Sequence, residues 1–256
     1  MMPRYFVSLA LLVGFALTYG LATQSNRLVY VVSSDTPQTI LYATTFDGGM
    51  FAEQWLQQDR RGGTISPQAD ALWLTLDQNA PAPLSIQSVM RHRFRDFDYT
   101  VKAQVLEGPL NNAFGVVFRY IDPQHYHRFY ISSDGYYQLT AQTLDGNRII
   151  STWIDSPAIA QGVGTAQNKL RVVSRANVFS FYVNDQLLPL CIPNDATAQS
   201  TYYAGECQGG ALQESYRLPE PLYGQIGVFI ETVSESGVSV AFDDVLIQTP
   251  AQTPTN

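Results

Sequence analysis

The glutamates of the chain stand at positions 53, 107, 206, 214, 220, 231 and 235. Hydrolysis of a glycosidic bond needs two carboxyl groups, about 5–5.5 Å apart for retention and about 6.5–9.5 Å for inversion. Glu231 and Glu235 are four apart, which puts them on one side of a strand. Thr232, Val233 and Ser234 between them add no further acid, and a turn rim is their expected home. No Gly-x-Ser-x-Gly, Cys/His or Ser/His/Asp arrangement is present to make a nucleophile. His125 and His127 have a spacing that suits zinc, but His92, the third histidine, is remote in sequence, and the pair has no acidic neighbour by type and spacing. Asp47, Asp243 and Asp244 raise a structural Ca²⁺ as a cofactor, because such ions gather six to eight oxygens where first and last strands meet. An outward polar Asp at a bulge explains the same residues equally well. Arg91, Arg93 and Arg95 alternate and so project from one side of a strand, either to meet an anion or to protect a sheet edge.

The elements that position these groups are short strands. Alternating runs cover Ile40–Phe46, Ala71–Leu76, Leu84–Ser88, Tyr99–Leu106, Ala113–Tyr120, Tyr126–Ser132, Tyr136–Thr143, Arg148–Ile154, Asn168–Val173, Val178–Val183, Gln225–Ile230 and Val238–Ile247. Turn chemistry separates them at Asp122-Pro123, Asp134-Gly135, Asp145-Gly146-Asn147 and Asn184-Asp185. No amphipathic helix is found after residue 26, so the pattern predicts an all-β, two-sheet antiparallel sandwich over residues 39–248. Residues 190–222 form its one long insertion, 27–38 a linker, and 249–256 a disordered tail.

Alternation also sorts the faces. Phe114, Val116, Phe118 and Tyr120 share the inward side, as do Phe129 with Ile131 and Tyr137 with Leu139. That leaves Lys102, Gln104, Arg119, Tyr126, Arg128, Tyr130, Tyr136, Gln138 and Gln142 outward on one sheet, joined by Trp153 if Ile150 and Ile154 face the core. Aromatic planes beside Arg and Gln suit sugar rings and their hydroxyls. Tyr, Thr and Gln also simply fit a solvent-facing pleat.

Composition bounds the alternatives. Fifteen basic residues face 22 acidic ones for a net charge of −7. Thirteen of the basic residues are Arg, and without a concentrated basic block the chain is no nucleic-acid binder. Arg4 precedes an uncharged apolar stretch from Phe6 to Ala22 that includes Leu12, Phe15 and Leu21. The first 26 residues therefore read as a secretory signal, cut after Ala22, or as an uncleaved membrane-anchor helix. Either places the remainder outside the cytoplasm, secreted or membrane-anchored. There the two cysteines, Cys191 and Cys207, are expected to form a disulfide that closes a loop rather than staples the core.

The run from Phe114 through Gly115-Val-Val-Phe-Arg-Tyr-Ile-Asp-Pro-Gln-His-Tyr-His-Arg-Phe-Tyr-Ile-Ser-Ser-Asp-Gly-Tyr-Tyr-Gln to Leu139 resembles the central hairpins of bacterial concanavalin A-like (laminin G-like) jelly-roll domains. It is most similar to the extracytoplasmic keto-disaccharide hydrolase-like type. Asp96-Phe-Asp-Tyr99, Asn168-Lys-Leu-Arg-Val172, Phe181-Tyr-Val-Asn-Asp-Gln-Leu187, Gly224-Gln-Ile-Gly-Val-Phe229 and Ala241-Phe-Asp-Asp-Val245 come in the expected order. The resemblance covers roughly residues 40–248 and implies the jelly-roll fold. That fold hosts lectins, glycosidases, adhesion modules and structural domains alike. The Glu-x-Asp-x-Glu strand of jelly-roll glucanases is missing. The expected function is thus non-catalytic recognition of a glycan or cell-envelope ligand on the concave sheet face, through Arg119, Tyr126, Arg128, Tyr130, Tyr136, Gln138 and Trp153. Two alternatives stay open: an accessory subunit that meets a protein partner in a membrane complex through an anchored helix, and a glycoside-active enzyme.

Overall fold

The computed structural model of the chain describes residues 29–30, 38–47, 55, 62–68, 70–79, 84–195, 197–218, 222–233, 235 and 237–251. The apolar segment with Phe6, Leu12, Phe15 and Leu21 lies outside the described residues. Among the described residues there is no α-helix, and no helix long and apolar enough to cross a membrane. In chain order the strands are β1 (Val29–Tyr30), β2 (Ile40–Thr44), β3 (Gly63–Gln68), β4 (Ala71–Leu76), β5 (Leu84–Phe94), β6 (Phe97–Glu107) and β7 (Ala113–Asp122). Next come β8 (His125–Ile131), β9 (Tyr136–Thr143), β10 (Gly146–Asp155), β11 (Gln167–Arg175), β12 (Val178–Val183) and β13 (Gln186–Leu187). The last are β14 (Leu190–Pro193), β15 (Thr201–Tyr203), β16 (Glu206–Gln208), β17 (Gly210–Gln213), β18 (Tyr216–Arg217), β19 (Gly224–Thr232) and β20 (Val238–Gln248).

Two sheets pack face to face. A seven-stranded sheet runs β1-β5-β19-β7-β8-β9-β10, and a nine-stranded one runs β13-β12-β11-β6-β20-β4-β3, with β2 on β20 and β18 on β12. The core between them results from period-two alternation. Strand β4 turns Leu72, Leu74 and Leu76 inward, β12 does so with Phe179, Phe181 and Val183, and β19 with Ile226, Val228 and Ile230. Tyr99 crosses the core and donates its hydroxyl to the Gly227 carbonyl at 3.2 Å, tying one sheet to the other. Burial pushes its phenol pKa far above the ordinary range. In β20 the alternation breaks at Asp243/Asp244, where a bulge with Asp244 at φ 48° restores Val245 and Ile247 to the inner side after Phe242.

The structure corrects the sequence reading at four places. Strand β6 pairs with β11 and β20 in the nine-stranded sheet, so Lys102 and Gln104 lie on the opposite side of the molecule from the hairpin face. The 27–38 linker contains β1, which pairs parallel with β5 through Val29↔Arg93 and Tyr30↔Phe94. Thr249, expected in the disordered tail, is buried: its amide donates to the Thr39 carbonyl and its hydroxyl accepts from the Thr39 amide, both at 2.8 Å. The tail beyond Ala251 lies outside the described residues.

The fourth correction concerns the insertion. It is built of two small ladders, β14–β17 and β15–β16. Cys191 and Cys207 are disulfide-bonded, with Cα atoms 5.4 Å apart. Cys191 is itself part of the core and its amide donates to Ser151 Oγ of β10 at 3.0 Å. The bridge closes the 191–207 loop as expected, and its Cys191 end is in addition rooted in the core.

Candidate functional site

The outer face of the seven-stranded sheet carries a second apolar layer: Val89, Ala113, Val117, Tyr120, Tyr126, Tyr130 and Phe229, with Trp153 packed against it. Strand β7 is thus buried on both sides, as its nearly continuous apolar sequence requires. Register places the layer in rows across the strands. One row runs Phe229–Gly115–Tyr130–Gln138, the next Gly227–Val117–Arg128–Thr140.

Gly115 lets the first row close up. A Cβ there would lie 2.3 Å from the Phe129 carbonyl oxygen, so no side chain separates Phe229 from Tyr130. Their rings meet edge to face with centroids 5.3 Å apart, and Trp153 meets Tyr130 the same way at 5.2 Å. The Tyr130 hydroxyl donates to Gln138 Oε1. Burial raises the Tyr130 pKa well above its ordinary value, so the phenol stays a donor.

Arg128 lies across this layer. Its guanidinium carbon is 5.0 Å from the Phe229 ring centroid, 5.7 Å from Tyr130 and 5.9 Å from Tyr126. One terminal nitrogen donates to Glu231 Oε2 at 2.5 Å and the other to Asn147 Oδ1 at 3.2 Å. Burial pulls the Arg128 pKa down, but the Glu231 carboxylate and the neighbouring tyrosines outweigh it and the net shift is upward.

At one end of this floor a trough of about 260 Å³ opens, lined by Asn111, Ser132, Asp134, Tyr136, Trp153 and Val233. The turn between β8 and β9 shapes it. Gly135 adopts φ 97°, the Ser132 amide donates to the Tyr136 carbonyl at 2.9 Å, and the Ser132 hydroxyl donates to Asp134. Tyr136 stands 41% exposed. Aromatic planes from β9 and β10 therefore flank a hydroxyl, a carboxylate and an amide, the combination that receives a ring with several hydroxyls.

The residues expected at the site divide into three groups. Tyr136 and Trp153 line the trough. Tyr126, Arg128, Tyr130 and Gln138 lie on the expected face but are buried, making a packed floor rather than an open contact surface. Arg119 does not belong there. It adopts φ 51° in a bulge between Phe118 and Asp122 and turns into the sandwich. Inside, it donates to the Phe94 carbonyl at 2.8 Å, Asn177 Oδ1 at 3.1 Å and Ser174 Oγ at 3.2 Å, 4.9 Å above the Phe179 ring. Burial lowers its pKa to about 10. The same bulge sends Tyr120, expected inward, out to stack on Tyr126 at 5.6 Å.

Sequence reasoning misses Phe229, Asn111, Ser132 and Asp134 as site residues, and it places Glu231 on a turn rim. A signal for Phe229 is present: an aromatic at the outward position between Val228 and Ile230 marks a strand buried on both faces. Glu231 lies on β19 and not on a turn rim, while exposed Glu235 is in the turn after that strand.

The proposed metal ligands have other partners. Asp244 pairs with Lys102 at 2.5 Å, Asp243 accepts from the Asp244 amide at 2.6 Å, and Asp47 accepts from the Thr45 hydroxyl at 2.6 Å. Among the described residues no group of three or more His, Cys, Asp or Glu is placed to hold a metal. His125 does have an acidic neighbour, Asp122, at 2.9 Å, whereas His127 turns its ring onto Phe118.

No protein-family model and no curated protein sequence matches the chain. Solved structures do. A carbohydrate binding module, CBM66, from Bacillus subtilis aligns with a TM-score of 0.53 at 11% identity, over 77% of this chain and 96% of its own. A Bacillus subtilis protein of unknown function with a galectin-like fold aligns at 0.55 and 11%, over 84% and 98%. A structure from work on endo-acting O-glycanases of the human gut microbiota aligns at 0.52 and 9%, over 83% and 100%. At such identities the likeness is one of fold: an all-β sandwich of two facing, mainly antiparallel sheets that is similar to the galectin-like fold.

Proposed function

We propose that the chain is a non-catalytic, extracytoplasmic recognition module that binds a glycan or another cell-envelope ligand in the trough between Tyr136 and Trp153. The observation that carries the reading is this pair of aromatic walls around Asn111, Ser132 and Asp134. They stand on a floor already locked by the Tyr130–Trp153 and Arg128–Glu231 contacts. A pre-formed floor spares a ligand the cost of ordering side chains. The tie of Glu231 to Arg128 favours recognition over glycoside hydrolysis. The name of the CBM66 module, a carbohydrate binder on the same architecture, is in keeping with a saccharide ligand. The Phe114–Leu139 run supports placement near the keto-disaccharide hydrolase-like type. The Cys191–Cys207 bridge supports an oxidising compartment, with the chain secreted or held at a membrane through its apolar residues 6–22.

The test is a glycan and envelope-polymer array with the full chain, and then calorimetry on each hit. Tyr136→Ala and Trp153→Ala should each weaken binding at least tenfold, Tyr136→Ala with the melting temperature retained and Trp153→Ala with a lowered one, because Trp153 also packs on Tyr130. Binding that ignores both substitutions, or an array with no hits, would overturn the reading.

A further inference from the structure

The outer face of the nine-stranded sheet carries a second pair of depressions, on the side of the molecule away from Tyr136 and Trp153. The smaller, about 240 Å³, arises from one row of the sheet, Ser66–Trp73–Ala241–Gln104–Gln167. Ala241 sits between two long side chains and leaves a gap one side chain deep. Half-buried Trp73 forms one wall. Gln104 forms the other, held by donating to the Gly164 carbonyl and accepting from Gln167 at 3.0 Å. Asp243 lies at the end of the gap, and burial raises its pKa above that of an ordinary carboxylate.

The larger depression, about 740 Å³, is floored by Thr100 and Leu246 and walled by Lys169 and Asp185. Lys102 lines the smaller depression and Asp244 the larger, and the two side chains bond to each other at 2.5 Å. Among the described residues this half-exposed ion pair joins the lining of one depression to that of the other, and an ion pair so open to water is weakly held. From Gln104 to Asp98 along β6 the face spans roughly 20 Å at about 3.3 Å per residue, the length of several sugar rings.

Charge indicates the ligand class. Among the described residues, each basic side chain lining the two depressions already has an acidic partner: Lys102 with Asp244, Lys169 with Asp185 at 2.5 Å, and Arg171 with both oxygens of Asp98 at 2.7 Å. Asp47, Asp70 and Asp243 add negative charge, so an anionic chain would be repelled. We infer that this groove is a second binding site, distinct from the Tyr136/Trp153 trough, for an extended neutral saccharide chain, with one ring stacked on Trp73 and the chain passing over the Lys102–Asp244 pair.

The experiment is amide-shift mapping and calorimetry on the full chain with cellotetraose, xylotetraose, maltotetraose and mannotetraose, with polygalacturonate as the anionic control. At least one neutral tetrasaccharide should shift amides of β4, β6 and β20. Trp73→Ala and the gap-filling Ala241→Leu should each weaken that binding about tenfold or more, with melting temperatures retained, while Tyr136→Ala leaves it in place. Shifts confined to β8–β10, or affinity indifferent to both Trp73→Ala and Ala241→Leu, would overturn this site and leave the trough untouched. Silence from all four neutral chains, or polygalacturonate binding in their stead, would overturn it equally.

Discussion

Arg128 and Glu231 meet at 2.5 Å on top of the Phe229 ring, but they do not share solvent equally: the Arg128 side chain is 6% exposed and the Glu231 side chain 26%. Removing one partner of a buried pair leaves the other uncompensated. Glu231→Ala strands a cation that water barely reaches and should cost about 3 kcal/mol. Arg128→Met leaves a carboxylate that water can reach and should cost only about 1 kcal/mol. Urea denaturation of the two variants measures the asymmetry, and equal losses would refute it.

Arg119 should behave as a core residue. Arg119→Met removes three buried donor contacts and leaves the Phe94 carbonyl, Ser174 and Asn177 with fewer partners. A loss of about 3 kcal/mol in unfolding free energy is expected, with saccharide affinity of the folded variant unchanged. A selective loss of affinity at full stability would return Arg119 to the binding face.

Acid should weaken the fold through His127. Burial, with repulsion from Arg119 and Arg148, lowers its pKa to about 4, against about 6.5 in an unfolded chain. The unfolded chain takes up this proton first as pH falls. The His127 contribution is therefore complete above about pH 6.5 and is lost progressively toward pH 4, by about 3 kcal/mol. Burial lowers His92 in the same direction. Unfolding curves at pH 7.5, 5.5 and 4.5 should show a shallower slope for His127→Gln, and a slope identical to that of the parent would remove His127 as the cause.

Reduction should loosen the insertion before the sandwich. Replacing Cys191 and Cys207 with Ser is expected to cost about 3 kcal/mol in the chain-entropy model. Hydrogen exchange should rise first in β15–β16, which the bridge ties to β14 and so to the core. Uniform acceleration across both sheets would show instead that the bridge secures the whole core.

Period-two alternation is enough to read twelve of the sixteen strands of the two sheets, missing β1, β3, β13 and β18, and the inward sides of β8, β9 and the first part of β7, because Phe114, Val116, Phe129 and Leu139 obey it. Asp134-Gly135 and Asp145-Gly146 mark two hairpins because their glycines take positive φ. Alternation carries no information on which distant strand a strand will pair with, so it sets β6 beside the wrong sheet. It also fails wherever a bulge adds a residue. Arg119 and Asp244 take positive φ without being glycine, and each reverses the facing of the residues after it. The trough is legible in Tyr136 and Trp153 only; Asn111 and Asp134 sit in connections, where no period points anywhere.

The Thr39–Thr249 clasp has a mechanical consequence. In the nine-stranded sheet the chain enters at the start of β2 and leaves at the end of β20, and these neighbours run antiparallel, so entry and exit of that sheet lie side by side. Tension between residues 39 and 249 would act across the ladder and part its rungs one after another, beginning with the clasp, rather than shearing all of them at once. A domain strung this way yields at low force from its ends.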